Sequence, residues 1–128
     1  MTIRWPKLPP VRDRWDGNPL QYLSHALGHE GENSLMSELI RQDLAVVVMA
    51  GPATRLQDTF SGFYVDITLT EKGVRQYEEV IRLTFAQINK FKQQGAQDHY
   101  IVERKVMGDI GFAFQQPKPA KVAAAMIA

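Results

Sequence analysis

The chain has 128 residues, of which 45% are hydrophobic and 23% charged; it has no cysteine and a net charge of +1. These figures fit one globular domain or part of one, and they exclude a disordered tail, a fibrous repeat, a disulfide framework and a thiolate metal site. Basic and acidic residues are interspersed, and the longest apolar runs (Leu44 to Ala50 and Val122 to Ala128) fall short of the ~18 residues that cross a bilayer, so neither nucleic-acid nor membrane binding is expected.

Ile3 and Trp5 flank Arg4 in a short strand that Pro6 ends or confines to a sheet edge. Asp16-Gly17-Asn18-Pro19 is a turn into a helix, with Asn18 as N-cap and Pro19 in the first helical position. Leu20, Leu23 and Leu27 share one face of that helix, and Tyr22, His25 and His29 share the opposite one. Gly28 and Gly31 end it. Ser34 caps a second helix with Leu35, Leu39 and Ile40 on its apolar side. Leu44 to Ala50 is unbroken and valine-rich, the pattern of a strand buried on both faces, and Gly51-Pro52 stops it. Phe63, Val65, Ile67 and Leu69 alternate with Tyr64, Asp66 and Thr68, which predicts a half-buried strand.

Thr70 then caps one long helix with a seam of Val74, Tyr77, Ile81, Thr84, Ile88 and Phe91, closed by Gly95. A last helix starts near Asp98 with Ile101, Val102, Val106, Ile110 and Ala113 facing inward; Pro117 and Pro119 end it. Short connections between neighbouring strands predict an α+β layer, an antiparallel sheet with helices packed on one face. Three strands make a thin sheet. With the apolar ending at Ala123 to Ala128, that predicts a partial domain spanning 1–128 of a longer chain. The unpaired sheet edge predicts a homo-oligomer.

His25-Ala26-Leu27-Gly28-His29-Glu30-Gly31 is the segment richest in chemistry. Two histidines at i and i+4 share a helix face, but position 26 is not the Glu of H-E-x-x-H, and position 28 is not the Glu of H-x-x-E-H. His99, the only other histidine, is far away in sequence, so no metal site is assigned. Ser34 and Ser37 lack a G-x-S-x-G setting, and Gly108-Asp109-Ile110-Gly111 lacks a phosphate-loop lysine. Arg75, Glu78, Glu79 and Arg82 form a solvated helix face, and Trp5 and Trp15 are packing residues. No residue is assigned as catalytic. The lack of cysteine, and of an apolar leader after Arg4 and Lys7, favours the cytoplasm. Composition leaves the compartment otherwise open.

The order and spacing of three segments carry a resemblance. They are Asn18-Pro19 through Tyr22-Leu23-Ser24-His25-Ala26-Leu27-Gly28-His29-Glu30-Gly31 to Ser34-Leu35-Met36-Ser37-Glu38-Leu39, then Val65-Asp66-Ile67-Thr68-Leu69-Thr70-Glu71-Lys72-Gly73, then Phe112-Ala113-Phe114 with Lys118-Pro119. From about Ile3 onward the chain resembles the first half of the non-catalytic second domain of insulin-degrading-enzyme, or pitrilysin-type, zinc metallopeptidases (inverzincins). The resemblance implies a metallopeptidase or mitochondrial-processing-peptidase-like fold in a parent of four homologous domains enclosing a chamber. It places the catalytic zinc, with its H-x-x-E-H, in the first domain, so this chain alone is expected to hold no cofactor and to be inactive.

In insulin-degrading enzymes this region is an exosite that anchors the N-terminus of a peptide substrate away from the zinc. Carried over residue by residue, the helix side is Gln21, Ser24, His25, Gly28 and Glu30, and the strand side is Val48, Ala50 and Pro52. Gln21 stands where many members have His, Ser24 where they have Gly, and Pro52 where they have Gln. The implied partners are peptide substrates and the other domains of the parent. Two alternatives stay open: a free-standing peptide-binding or scaffold module, and an inactive subunit of the same family.

Overall fold

The computed structural model of the chain describes residues 1–9, 19–53 and 61–114. In order they form β1 (Thr2–Leu8), α1 (Pro19–Leu27), α2 (Leu35–Arg41), β2 (Ala45–Pro52), β3 (Ser61–Leu69), α3 (Glu71–Arg75), α4 (Tyr77–Gln94) and α5 (Asp98–Ala113). Asn18, Trp15, Pro117, Lys118 and Pro119 lie outside the described residues. The sheet is antiparallel in the order β1-β3-β2, giving the expected α+β architecture. β1 continues through Pro6 because it is an edge strand, and its register shifts between Trp5 and Leu8.

β3 supplies the centre of the core. Phe63, Val65 and Ile67 point inward, and Asp66 and Thr68 point to solvent. Leu20 and Leu27 of α1, Leu35 and Leu39 of α2, and Val80 of α4 cover that face together with Leu44, Ala45 and Val48. Trp5 packs against Phe63 and Phe85.

β2 departs from the pattern of its sequence. Val46 and Met49 are 55% and 60% exposed, so the strand is buried on one face only. An unbroken apolar run carries no alternation from which to read this.

Ser34 caps α2 as expected, its Oγ accepting from the Ser37 N–H at 3.1 Å. Ile40 is half exposed rather than part of the buried side. The Leu-Thr-x-x-Gly segment works as a clamp. Thr70 Oγ1 accepts from the Gly73 N–H and donates to the Asp43 carbonyl at 2.7 Å, while the Thr70 N–H bonds the Leu44 carbonyl. A Cβ on Gly73 would overlap that Leu44 oxygen, so only glycine lets the two backbones meet.

The long helix is in fact two, α3 and α4, separated at Gln76. α3 is tied to Leu44, whereas α4 docks through Val80 and Thr84. Val74 and Tyr77 are therefore exposed, and Val80 replaces them in the seam. Gly95 closes α4 with a φ of 71°, its N–H bonding the Phe91 carbonyl.

α5 corrects another expectation. Ile101, Val102, Val106, Ile110 and Ala113 are exposed, and the one buried residue is Tyr100. The helix touches the rest of the protein mainly through its first turns, against α1. No described helix is long and apolar enough to cross a membrane.

Candidate functional site

The candidate residues fall on two neighbouring stretches, α1 with the loop that follows it and the outer edge of β2. Among the described residues β2 has one strand neighbour, β3. Three hydrogen bonds fix which of its main-chain groups face outward. The Ala53 N–H bonds the Gly62 carbonyl at 2.9 Å, so Ala53 faces β3. Ile67, opposite Val48, exchanges both of its main-chain bonds with Met1 on the far side of β3. In an antiparallel ladder these groups alternate. Met49, Gly51 and Ala53 therefore bond β3, while Val48, Ala50 and Pro52 direct theirs to the edge away from β3. Pro52, with no N–H to give, costs nothing there.

Gln21, Ser24 and Gly28 recur at i, i+3 and i+7 and so form one stripe of α1. Ser24 and Gly28 from that stripe meet Ala50. Ser24 Oγ donates to the Ala50 carbonyl at 2.6 Å. A Cβ on Gly28 would lie 3.9 Å from the Ala50 nitrogen and 3.0 Å from the Ser24 carbonyl oxygen of the same helix end. Gly28 thus terminates the helix and brings it beside the strand without wedging into it. Gly51 packs under the Tyr64 ring instead. Glu30 is exposed just beyond the helix, on the loop that Gly31 and Ser34 close by a backbone bond of 3.2 Å.

His25 faces α5, away from the strand. Its Nε2 lies 3.0 Å from Glu103 Oε2, and His29 Nε2 lies 3.7 Å from the same oxygen. The two imidazoles and Phe91 pack edge-on around Tyr100, whose ring also meets His99 with centroids 4.0 Å apart. The Gln97 N–H bonds the Tyr22 hydroxyl at 2.8 Å. The hydrogen bond with His25, aided by the nearby His29, holds the Glu103 carboxyl below its ordinary range. Burial pushes the Tyr100 phenol up. Tyr100 and Glu103 were missed in the sequence. Their one signal is spacing at i and i+3 near the start of a helix whose apolar residues point elsewhere.

The His25–His29–Glu103 group is a hydrogen-bonded fastening of α5. Among the described residues no group of three His, Asp or Glu side chains is placed to hold a metal ion.

The profile of the family described as the Peptidase M16 inactive domain matches residues 1–106. Rat (Rattus norvegicus) nardilysin is 29% identical over 119 residues, covering 91% of this chain and 10% of that protein. Human (Homo sapiens) insulin-degrading enzyme is 32% identical over 101 residues, covering 79% and 10%. The A-factor-processing enzyme of Saccharomyces cerevisiae is 33% identical over 109 residues, covering 85% and 10%. The crystal structure of pitrilysin superposes with a TM-score of 0.74 at 18% identity, over 92% of this chain and 12% of that one. The chain spans about a tenth of the length of the curated relatives it matches. Match, order of elements and fold agree: this chain belongs to the M16 peptidase inactive-domain family, whose members include insulin-degrading and pitrilysin-type metallopeptidases.

Proposed function

We propose that the chain is a non-catalytic wall segment of a larger zinc metalloendopeptidase of the insulin-degrading type, and that it grips peptide substrates at the outer edge of β2. Zinc and the residues that cleave the peptide bond belong to another domain of the parent. The observation that carries this is the alternation of outward main-chain groups at Val48, Ala50 and Pro52, beside the stripe of Gln21, Ser24 and Gly28. An extended peptide adds to such an edge by main-chain bonds, which makes recognition tolerant of sequence. Glu30, exposed past the end of α1, supplies a carboxylate for the terminal ammonium. His25 serves by holding α5 in place rather than by touching the peptide.

The exposed side of α5, with Val102, Val106 and Ile110, is the surface on which further parts of the parent pack. Its match to a tenth of much longer relatives supports that partner. The test uses the 128-residue chain and a short labelled peptide with a free N-terminus. Fluorescence anisotropy should show saturable binding, and the peptide should remain uncleaved with or without added zinc. Chelator-sensitive cleavage by this chain alone, or no binding at all, would overturn the proposal.

A further inference from the structure

We infer that the Ser24 hydroxyl is a built-in competitor for the edge of β2, setting how tightly and in which register a peptide binds there. This rests on the peptide-gripping role proposed above and adds the residue that limits it. Of the outward groups at Val48, Ala50 and Pro52, the Ala50 carbonyl is the one that has a hydrogen-bond partner among the described residues. That partner is Ser24 Oγ, at 2.6 Å.

Ser24 lies on α1, one turn before Gly28, so the donor comes from the helix and points at the strand. The bond satisfies an acceptor that strand addition would otherwise use. It also blunts an edge that would otherwise invite pairing with another chain. A peptide N–H directed at Ala50 must displace the hydroxyl and exchange one neutral bond for another, gaining little. Among the described residues no side chain bonds the main chain at Val48, a residue 4% exposed. The peptide therefore makes its productive bonds at Val48 and contributes none at the Ala50 carbonyl.

Removing the hydroxyl leaves the Ala50 oxygen without its donor in the free protein, and a peptide N–H then supplies it. Ser24→Ala should bind the labelled free-N-terminus peptide about fivefold more tightly, the worth of one net hydrogen bond. Ser24→Cys, which keeps the volume but offers a weaker donor, should fall between wild type and Ser24→Ala. It also serves as the second variant should Ser24→Ala fold poorly.

A panel of the same peptide, N-methylated at one residue at a time, separates competition from a general loosening of α1. At one position methylation should be harmless in wild type and should cost Ser24→Ala its gain. Wild-type binding with no tightening in either variant, or a methylation profile unchanged by the substitutions, would overturn the role of Ser24 and leave the peptide-gripping role standing. Failure of wild type and both variants to bind would overturn both.

Discussion

At its start β2 is sealed by the Leu-Thr-x-x-Gly segment, whereas at its end a single serine hydroxyl reaches the outer edge. Around Leu44 each carbonyl from Gln42 to Leu44 has a fixed partner. Gln42 is bonded by Lys72 Nζ, Asp43 by Thr70 Oγ1 and Leu44 by the Thr70 N–H, all within 3.1 Å. Gly73 lies so close that no side chain fits. Around Ala50, by contrast, Gly28 leaves ordinary contact distance to the strand and Ser24 supplies the bond. One strand is thus locked tightly where it enters the core and packed at ordinary distance where it leaves. A glycine in a motif marks tight backbone packing at the first end and ordinary contact at the second.

The largest effect should come from filling the tight end. Gly73→Ala places a methyl group against the Leu44 carbonyl and should cost about 3 kcal/mol, read from urea unfolding. Gly28→Ala should cost less, about 1 kcal/mol, since its backbone needs no left-handed angle and its methyl would press on one helix carbonyl at 3.0 Å rather than overlap it. Equal costs at the two glycines would erase the contrast. Thr70→Ala removes both a helix cap and the bond to Asp43 and should cost about 1 to 2 kcal/mol in the same measurement. Ser24→Ala should cost about 1 kcal/mol in the absence of peptide, and peptide should then stabilise this variant more than wild type in a thermal shift.

The smallest effect concerns α5. Glu103 is held below its ordinary range chiefly by its hydrogen bond with His25, so its contribution is present above the unfolded carboxylate value and is lost as pH falls through the lower folded one. Near-UV circular dichroism of the Tyr100 surroundings should therefore change on acidification. Glu103→Gln should abolish that step while leaving the sheet intact.

How much of this was legible in the sequence follows the range of the interactions. Ser34 and Thr70 announce helix starts because a cap is satisfied within three residues. β3 announces its inward face because period-two alternation is local. The break at Gln76 has no glycine or proline to mark it and follows from Gly73 meeting Leu44, a contact across nearly thirty residues of sequence. The apolar residues of α5 suggested a buried stripe, yet the helix is fastened by Tyr100 and Glu103 and leaves that stripe open. At the candidate site, the resemblance supplied Val48, Ala50 and Pro52 as a set. Only the strand register shows that they share one edge, and only coordinates show Ser24 engaged with it.

Amide hydrogen exchange, read residue by residue on the 128-residue chain with and without a saturating free-N-terminus peptide, tests the proposed gripping edge most directly. A peptide seated there should slow the exchange of Val48, whose N–H faces outward, and leave Met49 and Gly51, already bonded to β3, nearly unchanged. Protection that appears on α5 or across the open face of the sheet instead, with Val48 unaffected, would contradict it.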